Sequence, residues 1–118
     1  MAAPNLISIT TVIGKTQADW CPATLTSILA NGANTSEVLR INGLFITNVG
    51  NADASVNVNF QRSGLSFYVA YNNLVPVGTT SVIMGKDNGL YLEEGDALRV
   101  SASSDNMLQY VITYEVMS

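Results

Sequence analysis

Apolar and polar residues alternate along most of this chain. In "ASVNVNF", Val56, Val58 and Phe60 fall on one side of an extended backbone and Asn57 and Asn59 on the other. That period of two marks a strand with one face in a core. "LSFYVAY" sets Leu65, Phe67, Val69 and Tyr71 against Ser66, Tyr68 and Ala70. "ALRVSAS" sets Leu98, Val100 and Ala102 against Arg99 and Ser101. "LQYVITYEV" sets Leu108, Tyr110, Ile112, Tyr114 and Val116 against Gln109, Thr113 and Glu115. The longest strand, over roughly residues 37–49, changes parity: Leu39, Ile41, Phe45 and Val49 share one side, Leu44 and Ile46 the other. The change falls at Gly43, and a bulge produces both features. "LISITTVIG" reads as a β-branched strand, and "CPATLTSILANG" as either a strand or one helical turn.

Turn chemistry separates these runs at "GKTQ", "ANGANTS", "GNADA", "RSG", "YNN", "PVG", "GKDNG", "EEGD" and "SSDN". Strands punctuated every 8–12 residues or so predict a sandwich or barrel. The reading is one all-β domain over residues 1–118, with 1–5 as a flexible N-terminal arm. It is an antiparallel β-sandwich of about eight strands, jelly-roll-like. No linker, repeat or heptad divides it. A chain of 118 residues buries roughly two-thirds of its unfolded surface, enough for a core without staples.

Composition then narrows the function. Only 12% of residues are charged, about half the usual 25% or so. This suits a surface partly covered by neighbours. Net charge is −4, and the five basic residues, Lys15, Arg40, Arg62, Lys86 and Arg99, are dispersed. With no basic patch, neither nucleic acid nor a membrane surface is an expected partner. The opening "MAAPNLISITT" lacks the charged and apolar regions of a secretory signal. No apolar run approaches the roughly 20 residues of a membrane span. Cys21 is the sole cysteine, which excludes an intrachain disulfide and suggests a small buried apolar residue.

The chemistry that could make an enzyme is thin. There is no histidine, which removes the Ser-His-Asp and Cys-His pairings and most zinc sites. "GKTQ" ends like a phosphate-binding loop but lacks the preceding glycine. "YLEEGDALRV", residues 91–100, groups Glu93, Glu94 and Asp96 about Gly95. These acids are too close in sequence to flank a glycosidic bond. If the turn met "KDNG", then Asp87, Asn88, Glu94 and Asp96 could hold a hard cation, though at no calcium-loop spacing. Turn chemistry explains them more simply. Gly95 takes a positive φ, Asp96 accepts backbone N–H groups, and Glu93 and Glu94 solvate the tip of a hairpin between two core strands. Trp20 is the one candidate for stacking on a glycan, and "NTS" at 34–36 fits a glycosylation acceptor in an ordinary loop. No catalytic residue, cofactor or metal is expected.

The segments "LRINGLFITNVGNADASVNVNF", "NLVPVGTTSVIMGKDNGLYLEEGDALRVSAS" and "VITYEVMS" follow one another in a characteristic order. That order, together with the opening "PNLISITTVIGKT", resembles a family of small virion structural proteins of T4-like marine tailed bacteriophages, cyanophage-like. Residues 18–34 match least. The resemblance implies a jelly-roll-like sandwich repeated by symmetry in the particle, made in the host bacterial cytoplasm. It carries no catalytic residue. The expected function is non-enzymatic: a capsid decoration or cement subunit on the head shell, homo-oligomeric, with the major capsid protein as partner. A tail, neck or baseplate component and a carbohydrate-binding module on the particle surface are the alternatives. Subunit contacts are expected at Pro4 and Asn5 of the arm. Others are expected at loop positions Asn31, Asn34, Asn51 and Lys86, and at Glu93 and Glu94.

Overall fold

The computed structural model describes residues 11–32, 36–85, 87 and 89–118. They form nine strands: β1 (Val12–Trp20), β2 (Thr26–Ala30), β3 (Val38–Asn48), β4 (Ala54–Arg62), β5 (Leu65–Val75), β6 (Thr80–Met84), β7 (Leu90–Leu92), β8 (Ala97–Ala102) and β9 (Leu108–Met117). One sheet runs β1-β9-β3-β6, with the short β7 also on β3. The other runs β2-β8-β4-β5. Every pairing is antiparallel. The chain passes repeatedly between the sheets, and first and last strands lie side by side. This is the strand order of a jelly roll. The ninth strand beyond the expected eight is the three-residue β7. Among the described residues no helix is long and apolar enough to cross a membrane.

Alternation sets the core. Val56 and Val58 of β4, Leu98 and Val100 of β8, and Leu108 and Ile112 of β9 are fully buried. Each such side chain contributes about 1.5–3 kcal/mol by leaving water. In β3 the pairing with β9 slips between Ile41 and Gly43, so Ile41 and Leu44 both reach the core. That is the bulge the parity change predicts. Gly43 suits the site because a Cβ would stand 3.0 Å from the Phe45 ring and 3.1 Å from the Thr113 hydroxyl, so both side chains would have to shift to admit one.

Three local readings give way to the structure. "GKTQ" is not a turn. Residues 14–17 run straight through β1, paired with 112–115 of β9, and a full ladder outweighs a local glycine cue. "YNN" is also inside a strand. β5 carries one extra residue opposite Asn57 and another, Val69, between the partners of Val58 and Asn59, with Asn72 at φ 49°, a conformation asparagine tolerates. Its N–H donates to the Asn57 side chain at 2.7 Å. "YLEEGDALRV" is not a hairpin. β7 pairs with β3 in one sheet and β8 with β2 and β4 in the other. The turn therefore crosses between layers, and Leu92 and Leu98 are both fully buried. "CPATLTSILANG" supplies a strand, β2, rather than a helical turn.

Candidate functional site

The acidic turn is built as a structural clamp. Asp96 is only 2% exposed. Its carboxylate accepts from Arg62 twice, Nε to Oδ1 at 2.8 Å and Nη2 to Oδ2 at 2.6 Å, and from the Glu93 N–H at 2.8 Å. Glu93 accepts a further bond from Arg62 at 2.6 Å, at the surface. The guanidinium is held charged well above its ordinary range. The largest cause is its hydrogen bonding to Asp96, opposed by desolvation and aided by the charges of Asp96 and Glu93. Glu94 accepts from the Ser36 N–H at 3.1 Å. Both Asp96 oxygens are thus engaged by the protein. Asp87 is exposed in the connection before β7, and Asn88 lies outside the described residues. Among the described residues no group of three or more Asp, Glu or Cys is placed to hold a metal.

Asn31 does not act at the surface. It is 4% exposed, because its amide donates to the carbonyls of Glu37 at 2.7 Å and Leu92 at 3.1 Å. Its backbone bonds both Gly95 and Asp96. It staples the 31–37 connection to the acidic turn, a role within the fold that accounts for its burial. Asn51 is exposed, Glu93 is exposed but paired, and Glu94 is half-buried. Pro4, Asn5, Asn34 and Lys86, the arm 1–5 and the "NTS" motif's first two residues lie outside the described residues. Cys21 is fully buried, and burial pushes its thiol up to about 12.

Two surfaces stand out instead. The first is the outer face of the β1-β9-β3-β6 sheet. The register aligns Ala18, Val111, Phe45 and Val82 in one row across all four strands. Cross-strand partners project on the same face. Flanking rows hold Trp20, Gln109, Thr47 and Thr80 on one side and Thr16, Thr113 and Gly43 on the other. None of these eleven positions is charged. Val82 is 60% exposed, Trp20 44% and Val111 39%. Sequence reading missed this row. Its signal was Val111, an apolar residue on the outward parity of β9 between buried Tyr110 and Ile112.

The second surface is β5. Alternation predicts a half-buried strand, but Leu65, Phe67, Tyr68, Tyr71 and Leu74 are each more than half exposed. β5 is the outermost strand of its sheet, paired within it only to β4. Phe67 lies opposite Phe60 and Tyr68 opposite Asn59, so apolar side chains emerge on both faces. Tyr68 and Tyr71 meet edge-on, with ring centroids 4.7 Å apart.

Trp20 opens on a cleft of about 490 Å³ that also meets Asp19, Thr26, Asp105 and Asn106. Tyr110, the tyrosine beside it, is buried, and its hydroxyl accepts from the Gln17 side-chain amide at 3.0 Å. The exposed tyrosines, Tyr68 and Tyr71, lie on the other sheet. A stacking platform of adjacent exposed rings is therefore not assembled at Trp20.

No family model matches the sequence, and no curated protein does. Among solved structures, the chain is similar to a chain of infectious bursal disease virus, Gx strain, with TM-score 0.53 and 11% identity. That match covers 91% of this chain and 32% of the viral one. It is also similar to a chain of Bacillus endospore appendages, described as a family of disulfide-linked pili. There the TM-score is 0.49 and identity 10%, over 89% of this chain and 87% of the other. At these identities the viral likeness is one of fold: a β-sandwich shared with a chain about three times as long.

Proposed function

We propose that the chain is a non-enzymatic virion structural protein of a tailed bacteriophage, a capsid decoration subunit that lies on the head shell and stabilises it. The uncharged stretch of the outer face of the β1-β9-β3-β6 sheet, bounded at one end by the Arg40–Glu115 pair, carries this reading. A sheet face exposed to water normally carries polar or charged side chains. Here eleven positions carry no charge, and a transverse apolar row spans the sheet. Apolar patches rimmed by polar residues mark surfaces that meet another protein. The sequence resemblance to phage virion proteins supplies the setting, and the jelly roll is compatible with it.

Copy number tests the reading. Purified particles should contain hundreds of copies, as an icosahedral head requires by extension of closed symmetry. A multiple of six or twelve below about a hundred would point to the neck or tail. Val82→Lys or Phe45→Lys should lower occupancy on shells at least tenfold, since a desolvated unpaired charge costs several kcal/mol at an interface. Unchanged occupancy would remove the sheet face from the argument.

A further inference from the structure

We infer that β5 is a self-association edge: two copies of this chain join their β5 strands antiparallel about a two-fold axis near Phe67 and Tyr68. Each four-stranded sheet would become half of an eight-stranded one.

Three observations lead there. The first is the missing protection. Edge strands in monomers are shortened, or carry charges or proline, because an open row of N–H and C=O groups recruits other strands. β5 is 11 residues long, "LSFYVAYNNLV", with no charge and no proline. Its bulges are confined to the stretch opposite residues 56–59, and residues 65–68 pair regularly with 59–62 of β4. The hairpin end is thus a regular, unprotected edge.

The second is area. Aromatic side chains carry about 150–250 Å² each, so the open parts of Leu65, Phe67, Tyr68 and Tyr71, the residues within reach of such an axis, amount to roughly 450–500 Å². Two copies would bury about 900–1,000 Å² in all, the size of weak, transient interfaces. Such an interface suits reversible self-association rather than a permanent dimer.

The third is the partner's identity. A strand without charge offers nothing to select a charged partner. A two-fold pairing of identical strands needs only self-complementarity, and ladder bonds supply it whatever the side chains. Apolar residues on both faces of β5 suit an edge that continues a sheet, because a neighbouring strand flanks side chains on both faces at once.

Sedimentation of the isolated chain at micromolar concentrations tests this without any particle, so it can fail while the shell reading stands, and the reverse. A reversible monomer–dimer equilibrium is expected. Phe67→Lys and Tyr71→Lys should each weaken it at least tenfold. Both sites are exposed, so the melting temperature measured at dilution where the wild type is monomeric should be unchanged, which separates lost association from lost fold. Val82→Lys, on the other sheet, should leave the dimer intact. A chain that stays monomeric throughout overturns the inference. So does a dimer that survives both β5 variants, or one that Val82→Lys dissociates.

Discussion

Replacing Arg62 by alanine should cost this protein more than a surface ion pair can explain. The carboxylate of Asp96 is 2% exposed and accepts three hydrogen bonds, two of them from Arg62. Arg62→Ala leaves that charge buried with one backbone N–H. Stranding a buried charge costs about 3–5 kcal/mol. The arginine side chain is 46% exposed, so solvent screens the pair, and about 2 kcal/mol is the better expectation. For a domain of this size that lowers the melting temperature by roughly 6–10 °C. Asp96→Ala should cost about 2–3 kcal/mol, since it also strips the Glu93 N–H of its acceptor. Glu93→Ala breaks an equally short contact at the surface and should cost no more than about 0.5 kcal/mol. Urea denaturation of the single variants and of Arg62→Ala/Asp96→Ala gives the coupling, expected at about 1–2 kcal/mol. High salt should abolish the Glu93 effect and leave most of that coupling. Arg62→Ala costing no more than Glu93→Ala, or a coupling near zero, would refute the clamp.

Cys21 gives a pH signature. Its thiol is raised from 9.0 to about 12 by burial, so above pH 9 the unfolded chain sheds a proton that the folded chain keeps. Stability falls as pH rises through that window and is untouched below it. From pH 8 to pH 10 the wild type should lose about 1.4 kcal/mol more than Cys21→Ala in urea titrations; equal losses would contradict it. Gly95 sits at φ +87° with open space around its Cα. Gly95→Ala should therefore cost about 1 kcal/mol through the backbone alone, measured the same way, and a neutral result would show that the turn relaxes.

Much of the fold is legible in the sequence because half-buried strands write their burial into parity. β4, β8 and β9 follow it closely, and the bulge in β3 shows as a parity change beside Gly43. Parity fails where long-range pairing decides. Nothing local distinguishes "GKTQ" as a turn from "GKTQ" as a stretch of β1, because its partner lies about a hundred residues away in β9. Nor can alternation say whether the strands flanking Gly95 pair with each other or with strands in opposite sheets. The amphipathic look of β5 hides its exposure, because burial depends on what lies across the sandwich. Asn31 looked like a loop-tip contact and is a buried staple. That role depends on Leu92 and Glu37 carbonyls arriving from elsewhere in the chain.

The adjacency of β1 and β9 bears on when this protein can fold. Within its sheet, β1 pairs only with β9, in a register running from Val12 opposite Met117 to Trp20 opposite Gln109. During synthesis β1 emerges roughly a hundred residues before its partner. It cannot be paired until β9 has been made, and the sheet the pair completes must wait with it. Pairings of such long sequence separation place the protein among slow folders, on a scale of roughly milliseconds to seconds. While it waits, the nascent chain carries exposed, β-prone segments, the condition in which premature association is costliest.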